Sequence, residues 1–168
     1  MARKQSRGRG PATREPKRGN EGSGRNPRPG QAGRPPYVGK VVAAAAAARR
    51  EAVAPFSKFK VGAALLTERG EIIVGANVES ASYGLTCCAE RVALFRALTS
   101  GYRGFVAVAV VARAPGGAMP CGACRQLLAE YAPAAKVWVA DSAALRKVKE
   151  FSVRELLPGA FCATALKR

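Results

Sequence analysis

The chain has 168 residues, with 28 Lys and Arg against 11 Asp and Glu, and it contains no histidine. This excludes Ser-His-Asp and Cys-His catalysis and any imidazole-ligated zinc, so a general base must be a carboxylate, lysine, tyrosine or thiolate, and a tight transition-metal site must be built mainly from cysteine. The length suits one domain with an appendage, and the charge is uneven: residues 1–40 carry 11 of the basic side chains and 2 of the acidic ones.

Residues 1–36 are rich in Gly, Pro, Arg, Asn and Ser and hold almost no large apolar side chains. Burial cannot offset the ordering entropy of such a stretch, which predicts a disordered basic tail. Its Arg/Gly character suits contact with nucleic-acid phosphates, but charge alone gives salt-sensitive, non-specific binding, and no aromatic precedes Tyr37 to stack on bases. Residues 37–168 are read as the folded domain. The alanine-rich Val38–Glu51 predicts a helix that stops before Pro55. Lys60–Thr67 and Glu71–Val78 read as strands joined by a turn at Glu68-Arg69-Gly70. Thr86–Ser100 has helical apolar spacing at Val92, Leu94, Phe95 and Leu98, with Gly101 as a stop. Phe105–Ala112 is a continuous apolar run suited to a buried strand. Cys121–Tyr131 predicts a helix, Lys136–Ala140 a strand, Val148–Phe151 a last strand, and Val153–Leu157 a helical turn. Strands alternating with helices argue for a layered α/β domain. No apolar run is long enough to span a membrane, and no signal-type segment follows the basic first residues. The expectation is a cytoplasmic protein whose five cysteines are thiols, ligands or catalytic groups rather than a disulfide framework.

The chemistry-bearing residues gather at two helix starts. Cys88-Ala89-Glu90 opens one and Pro120-Cys121-Gly122-Ala123-Cys124 the other. On a helix Cys121 and Cys124 stand at i and i+3, on one face. Cys88 supplies a third thiolate. Three protein ligands leave one tetrahedral zinc position for water, the arrangement of a catalytic site, and the metal lowers that water's pKa toward neutrality. Glu90 is not needed for coordination and is placed to move protons between water and substrate. Three thiolates give the zinc site a formal charge of about −1, which weakens its Lewis acidity. Helix N-termini favour thiolate, and a guanidinium bonded to the sulfurs draws electron density from them. Arg91 is the cation expected to bond the ligand sulfurs from behind. Arg125 is read equally as a partner of the sulfurs or as a solvated charge.

The order C-A-E-R, then P-C-G-A-C-R-Q, resembles the zinc-dependent cytidine deaminases, specifically the small class with all-cysteine ligands. The superfamily pattern is H-x-E…P-C-x-x-C, and here Cys88 stands in place of the histidine. The likeness runs from about Val38 to Phe161 and includes P-F-S-K-F-K-V-G-A-A-L at Pro55–Leu65, G-A-N-V-E-S-A-S-Y-G at Gly75–Gly84 and E-L-L-P-G-A-F at Glu155–Phe161.

The resemblance implies a three-layer αβα sandwich around a mixed five-stranded sheet, a Zn²⁺ cofactor, and a homotetramer with shared sites. It implies that Asn77 and Glu79 bind the ribose 3′-hydroxyl, that Phe59 stacks near the pyrimidine, and that Ala89 contacts the base through its backbone. Phe161 would close a neighbouring subunit's site. The implied reaction is hydrolytic deamination of cytidine or deoxycytidine in pyrimidine salvage: zinc-bound hydroxide attacks C4, Glu90 carries protons, and ammonia leaves. Of the adjacent pair, Cys88 rather than Cys87 fits the C-x-E spacing. The chain departs from the family at Ser80, where Asn is common, at Phe56, where Tyr is common, and after Phe161, where Cys162 is read as a spare thiol.

Other readings are a thioredoxin-type pair at Cys121 and Cys124, which leaves Cys88 and Glu90 without a role, and a non-catalytic zinc module with a nucleic-acid-binding arm, which needs neither Glu90 nor Asn77 and Glu79. Among deaminases, the alternatives are a blasticidin S-like nucleoside as substrate, or cytosine in nucleic acid. The latter needs an open channel that no insertion provides.

Overall fold

The computed structural model describes residues 35–161. The expectation of a disordered tail therefore lies outside the described residues, apart from Pro35 and Pro36, as does the reading of Cys162.

Five strands form one mixed sheet in the order β2-β1-β3-β4-β5. They are β1 (Val61–Thr67), β2 (Ile72–Ala76), β3 (Phe105–Ala112), β4 (Lys136–Asp141) and β5 (Val148–Ser152). β1 pairs antiparallel with both β2 and β3, β3 runs parallel to β4, and β5 returns antiparallel to β4. The helices are α1 (Tyr37–Ala48), α2 (Ala89–Thr99), α3 (Gly122–Tyr131) and α4 (Val153–Leu156).

Strand alternation sorts the apolar side chains to two faces. Ala64, Leu66, Ala107, Ala109, Val111, Trp138 and Ala140 pack on Val38, Val41, Val42 and Ala45 of α1. Their neighbours Ala63, Leu65, Val108, Val110, Val137 and Val139 pack on Ala89, Ala93, Leu94 and Ala97 of α2, Leu128 of α3, and Val153 and Leu156 of α4. One helix on one face and three on the other complete the expected αβα sandwich. Because β1 and β3 are buried on both faces, they read as unbroken apolar runs in the sequence.

Small residues let two helices sit directly on the sheet. A Cβ at Gly62 would lie 2.1 Å from the Ala45 carbonyl oxygen of α1, and one at Gly75 would lie 2.4 Å from the Ala93 nitrogen of α2. The missing side chain at Gly75 therefore sets the height of α2 above β2, and with it the position of the residues at the start of that helix.

The elements match the sequence expectation in type and order, but their boundaries shift near the site. The second helix, expected from Thr86, begins at Ala89. Cys87 instead pairs in extended form with Val78, exchanging two 2.9 Å backbone hydrogen bonds. That pairing makes Cys88 the N-cap. The second strand ends at Ala76 rather than Val78 because the Asn77 side chain takes over the bonding: its Oδ1 accepts from Val61 N at 2.8 Å, and its Nδ2 donates to the Phe59 carbonyl at 3.0 Å.

Candidate metal centre and active site

Three sulfurs meet where α2 and α3 begin. Cys88 is the N-cap of α2, Cys121 is the N-cap of α3, and Cys124 lies in the first turn of α3. Neither N-cap side chain makes a capping bond to its own helix, so both sulfurs are free to face one another in the positive field of two helix ends. All three sulfurs lie within 4.8 Å of one another. Cys88 Sγ is 3.8 Å from Cys121 Sγ, and Cys121 Sγ is 3.6 Å from Cys124 Sγ. Zinc–thiolate bonds of about 2.3 Å place two ligands of a tetrahedron about 3.8 Å apart, so this trio has the dimensions of a zinc site before any rearrangement. A soft three-thiolate donor set suits the same ion.

The electrostatics agree. The Cys88 thiol is held down to about 5, first by a hydrogen bond from Cys124, then by one from Cys121 and by the Arg91 guanidinium, against the opposing effect of burial. The proton shared within the trio pushes the Cys124 thiol upward. Arg91 donates from Nη2 to the Thr86 carbonyl at 2.5 Å, while its Nε is buried without a hydrogen-bond partner. A buried cationic donor beside a thiolate cluster fits a centre of formal negative charge. Cys87 stands outside the trio, and burial raises its thiol.

Glu90, in the first turn of α2, is 6% exposed. Burial holds its carboxyl above the ordinary range, and the charge of Cys88 adds to the effect. A cavity of about 210 Å³ joins Glu90 to Cys88 and Cys121 on one side and to Phe59, Asn77 and Glu79 on the other, with Ala89 in its wall. The structure thus brings together every site residue expected from the sequence except Phe161. That ring is 59% exposed and does not line this cavity; the Phe161 carbonyl accepts from Gln126 Nε2 at 2.8 Å.

Arg125 follows neither reading given to it. Its Nε donates to the Pro120 carbonyl at 2.8 Å and its Nη1 to the Leu156 carbonyl at 3.1 Å, so it braces the approach to Cys121 against the end of α4. Glu79 accepts from Phe56 N at 2.9 Å, Ser57 N at 3.1 Å and the Ser57 hydroxyl. These bonds, the Ser57 hydroxyl first, hold its carboxyl below the ordinary range. Ser80 Oγ accepts from Ser82 N, while Ser80 N donates to Thr86 Oγ1. Phe56, Ser80 and Tyr83 line an outer cavity of about 420 Å³ that shares Ser57, Glu79 and Thr86 with the inner one. Sequence reasoning missed Ser57, Thr86 and Met119 as cavity residues. Only Ser57 carried any signal, within the quoted P-F-S-K-F block.

Residues 38–140 match the family described as the cytidine and deoxycytidylate deaminase zinc-binding region. The chain belongs to this family. It is 54% identical over 117 residues to a cytidine deaminase of Halalkalibacterium halodurans, covering 69% of this chain and 87% of that one. A cytidine deaminase of Sporosarcina psychrophila is 46% identical over 125 residues, or 74% of this chain and 90% of the relative. Among solved structures, the cytidine deaminase from Burkholderia pseudomallei superposes with a TM-score of 0.70 at 50% identity, covering 73% of this chain and 97% of that one. Membership in a zinc-binding family and the sulfur geometry agree on the cofactor, and they leave no place for a two-cysteine redox centre.

Proposed function

We propose that this chain is a zinc-dependent deaminase that converts cytidine and deoxycytidine to uridine and deoxyuridine with release of ammonia, serving pyrimidine salvage in the cytoplasm. The observation that carries the reading is the shared cavity, which sets the buried Glu90 carboxyl against Cys88 and Cys121 of the thiol trio on one wall and Asn77, Glu79 and Phe59 on the other. Cys88, Cys121 and Cys124 hold zinc, which when bound supplies a water acidified enough to act as nucleophile at C4.

The chain's own groups do the rest. Phe59 offers its ring face to the pyrimidine, and the Ala89 backbone meets the base edge. Glu79 accepts from the ribose 3′-hydroxyl and the remaining N–H of Asn77 Nδ2 donates to its oxygen, which turns C4 toward the thiol side of the cavity. The Glu90 carboxylate takes a proton from the nucleophilic water and passes it to N3 of the ring. It then takes the proton of the hydroxyl newly bonded to C4 and delivers it to the departing amino nitrogen as the C4–N bond breaks. Burial favours the protonated form of Glu90, which suits a group that must carry a proton between two atoms. Arg91 withdraws charge from the sulfurs.

The active form is a homotetramer with shared sites. Tyr83, 80% exposed in the wall of the outer cavity, and Leu85, 74% exposed two residues on, support this as apolar surface for a neighbour to cover. Phe161, exposed and absent from its own cavity, is free to reach a neighbour's. Residues 37–168 form the catalytic domain, and the basic segment 1–36 supplies any nucleic-acid contact. Use of the thiols as metal ligands rather than disulfides supports a reducing compartment. Among the described residues no helix is long and apolar enough to cross a membrane.

The test is release of ammonia and uridine from free cytidine by purified protein, before and after stripping the metal with a chelator. Release that stops on stripping and returns with added zinc is the expected result. A folded, zinc-loaded protein that leaves cytidine intact overturns the reading.

A further inference from the structure

Three hydrogen bonds converge on the Glu79 carboxylate from residues more than twenty positions earlier. Phe56 N and Ser57 N donate to Oε2, and the Ser57 hydroxyl donates to Oε1. The same hydroxyl accepts from Phe59 N at 2.9 Å. This second bond fixes the rotor. With its acceptor side occupied by Phe59 N, the hydroxyl proton is directed at Glu79. Between these two contacts Lys58 takes φ 58°, the left-handed region that a lysine enters only when its surroundings impose it. Lys58 N donates back to the Ala54 carbonyl at 3.1 Å, and Asn77 Nδ2 holds the Phe59 carbonyl at 3.0 Å. One small side chain therefore couples the carboxylate and the aromatic residue on the same side of the cavity, across a strained turn.

A carboxylate has about four acceptor positions. Three are filled here, which leaves one for an incoming hydroxyl. Without the Ser57 bond the carboxylate keeps only its Oε2 contacts and can turn, and the turn carrying Phe59 loses its internal tie. We infer that Ser57 is a positioning residue for the deamination reaction: its hydroxyl presets Glu79 and Phe59 so that the enzyme favours nucleosides carrying a 3′-hydroxyl. This rests on the proposed function and extends it to a residue that touches neither zinc nor the reacting carbon.

The experiment compares cytidine with 3′-deoxycytidine as substrates for the zinc-loaded full chain and for its Ser57→Ala and Ser57→Thr variants. For Ser57→Ala, the KM for cytidine should rise about tenfold, in line with loss of a hydrogen bond to a charged group, with kcat little changed. The preference for cytidine over 3′-deoxycytidine should shrink by a similar factor. Ser57→Thr keeps the hydroxyl and should restore both. A merely structural role would raise KM for both substrates alike and leave the preference intact, and that result overturns the inference. So does a wild-type enzyme that deaminates cytidine without discriminating between the two. Failure of the proposed function looks different: the wild-type protein then releases no ammonia from cytidine at all.

Discussion

The two sides of the cavity are built by different means. On the metal side, each sulfur is fixed by a helix start, and the helices are fixed by backbone contact with the sheet. Gly75 lets α2 settle on β2, and Arg125 braces the approach to α3. On the sugar side, Phe59, Asn77 and Glu79 all stand outside the strands, just before β1 and just after β2. The turn at residues 54–59 is held by side chains instead: the Glu79 carboxylate, the Ser57 hydroxyl and the Asn77 amide. Bond-making chemistry tolerates little displacement and sits on rigid elements. Recognition of a sugar sits on a loop whose polar contacts can be tuned.

This contrast can be broken first at Glu90. Glu90→Gln keeps size and burial and removes the transferable proton. The expected result is unchanged zinc content with turnover reduced about 10²- to 10⁴-fold, the range for loss of a general acid–base group. Paired measurement of bound zinc and kcat checks it. Near-wild-type rates would remove Glu90 from the proton path. Loss of zinc would instead place the carboxyl among the supports of the metal.

The next largest effect tests the backbone seat of α2. Gly75→Ala inserts a methyl 2.4 Å from the Ala93 nitrogen and 2.8 Å from the Ala89 carbonyl oxygen. Both are main-chain atoms and can move only with the helix. Overpacking of this kind should cost about 1–3 kcal/mol of stability. It should also weaken zinc binding, because Ala89 adjoins Cys88. Gly39→Ala is the matched control. Gly39 lies on the exposed side of α1, and its Cβ would meet nothing within 4 Å, so the helix should gain about 0.5–1 kcal/mol. Thermal unfolding of the two zinc-loaded variants should therefore shift in opposite directions. A rise in both would show that α2 yields to the added methyl without cost.

The same division explains what the sequence could disclose. The metal side was legible because its rules are local: i and i+3 spacing within α3, the C-x-E step at α2, and unbroken apolar runs for β1 and β3. The sugar side was legible only in part. Asn77, Glu79 and Phe59 were named through a family likeness, but nothing within a few residues of Ser57 shows that three donors in its turn converge on a carboxylate far along the chain. The start of α2 was misjudged for a related reason, since pairing of Cys87 with Val78 is a contact outside the helix's own periodicity and overrides a helical apolar pattern that runs back to Thr86. Arg125 could not be resolved either: one of its two partners, the Leu156 carbonyl, is 31 positions away.

The smallest effect lies at the far end of the Arg125 brace. The Leu156 carbonyl that accepts from Arg125 belongs to α4, a single turn secured by a capping box in which Glu155 accepts from Ser152 N at 2.6 Å and Ser152 Oγ accepts from Glu155 N at 3.2 Å. The bonds its carboxylate accepts, from the Ser152 backbone first and then from the Ser152 hydroxyl at 2.8 Å, hold the Glu155 carboxyl below its ordinary 4.5. A carboxylate with a lowered folded-state pKa stabilises the fold while it is ionised, so its contribution is complete above 4.5 and is lost as pH falls through the folded value. Glu155→Gln should therefore melt slightly below wild type near neutrality, and the gap should close as the pH drops below 4.5. Melting midpoints of the two proteins across that range, with zinc content measured alongside, decide the point. A gap independent of pH would show that α4 relies on the shape of the cap rather than on its charge, and the metal side would then owe nothing to an ionised carboxylate outside the cavity.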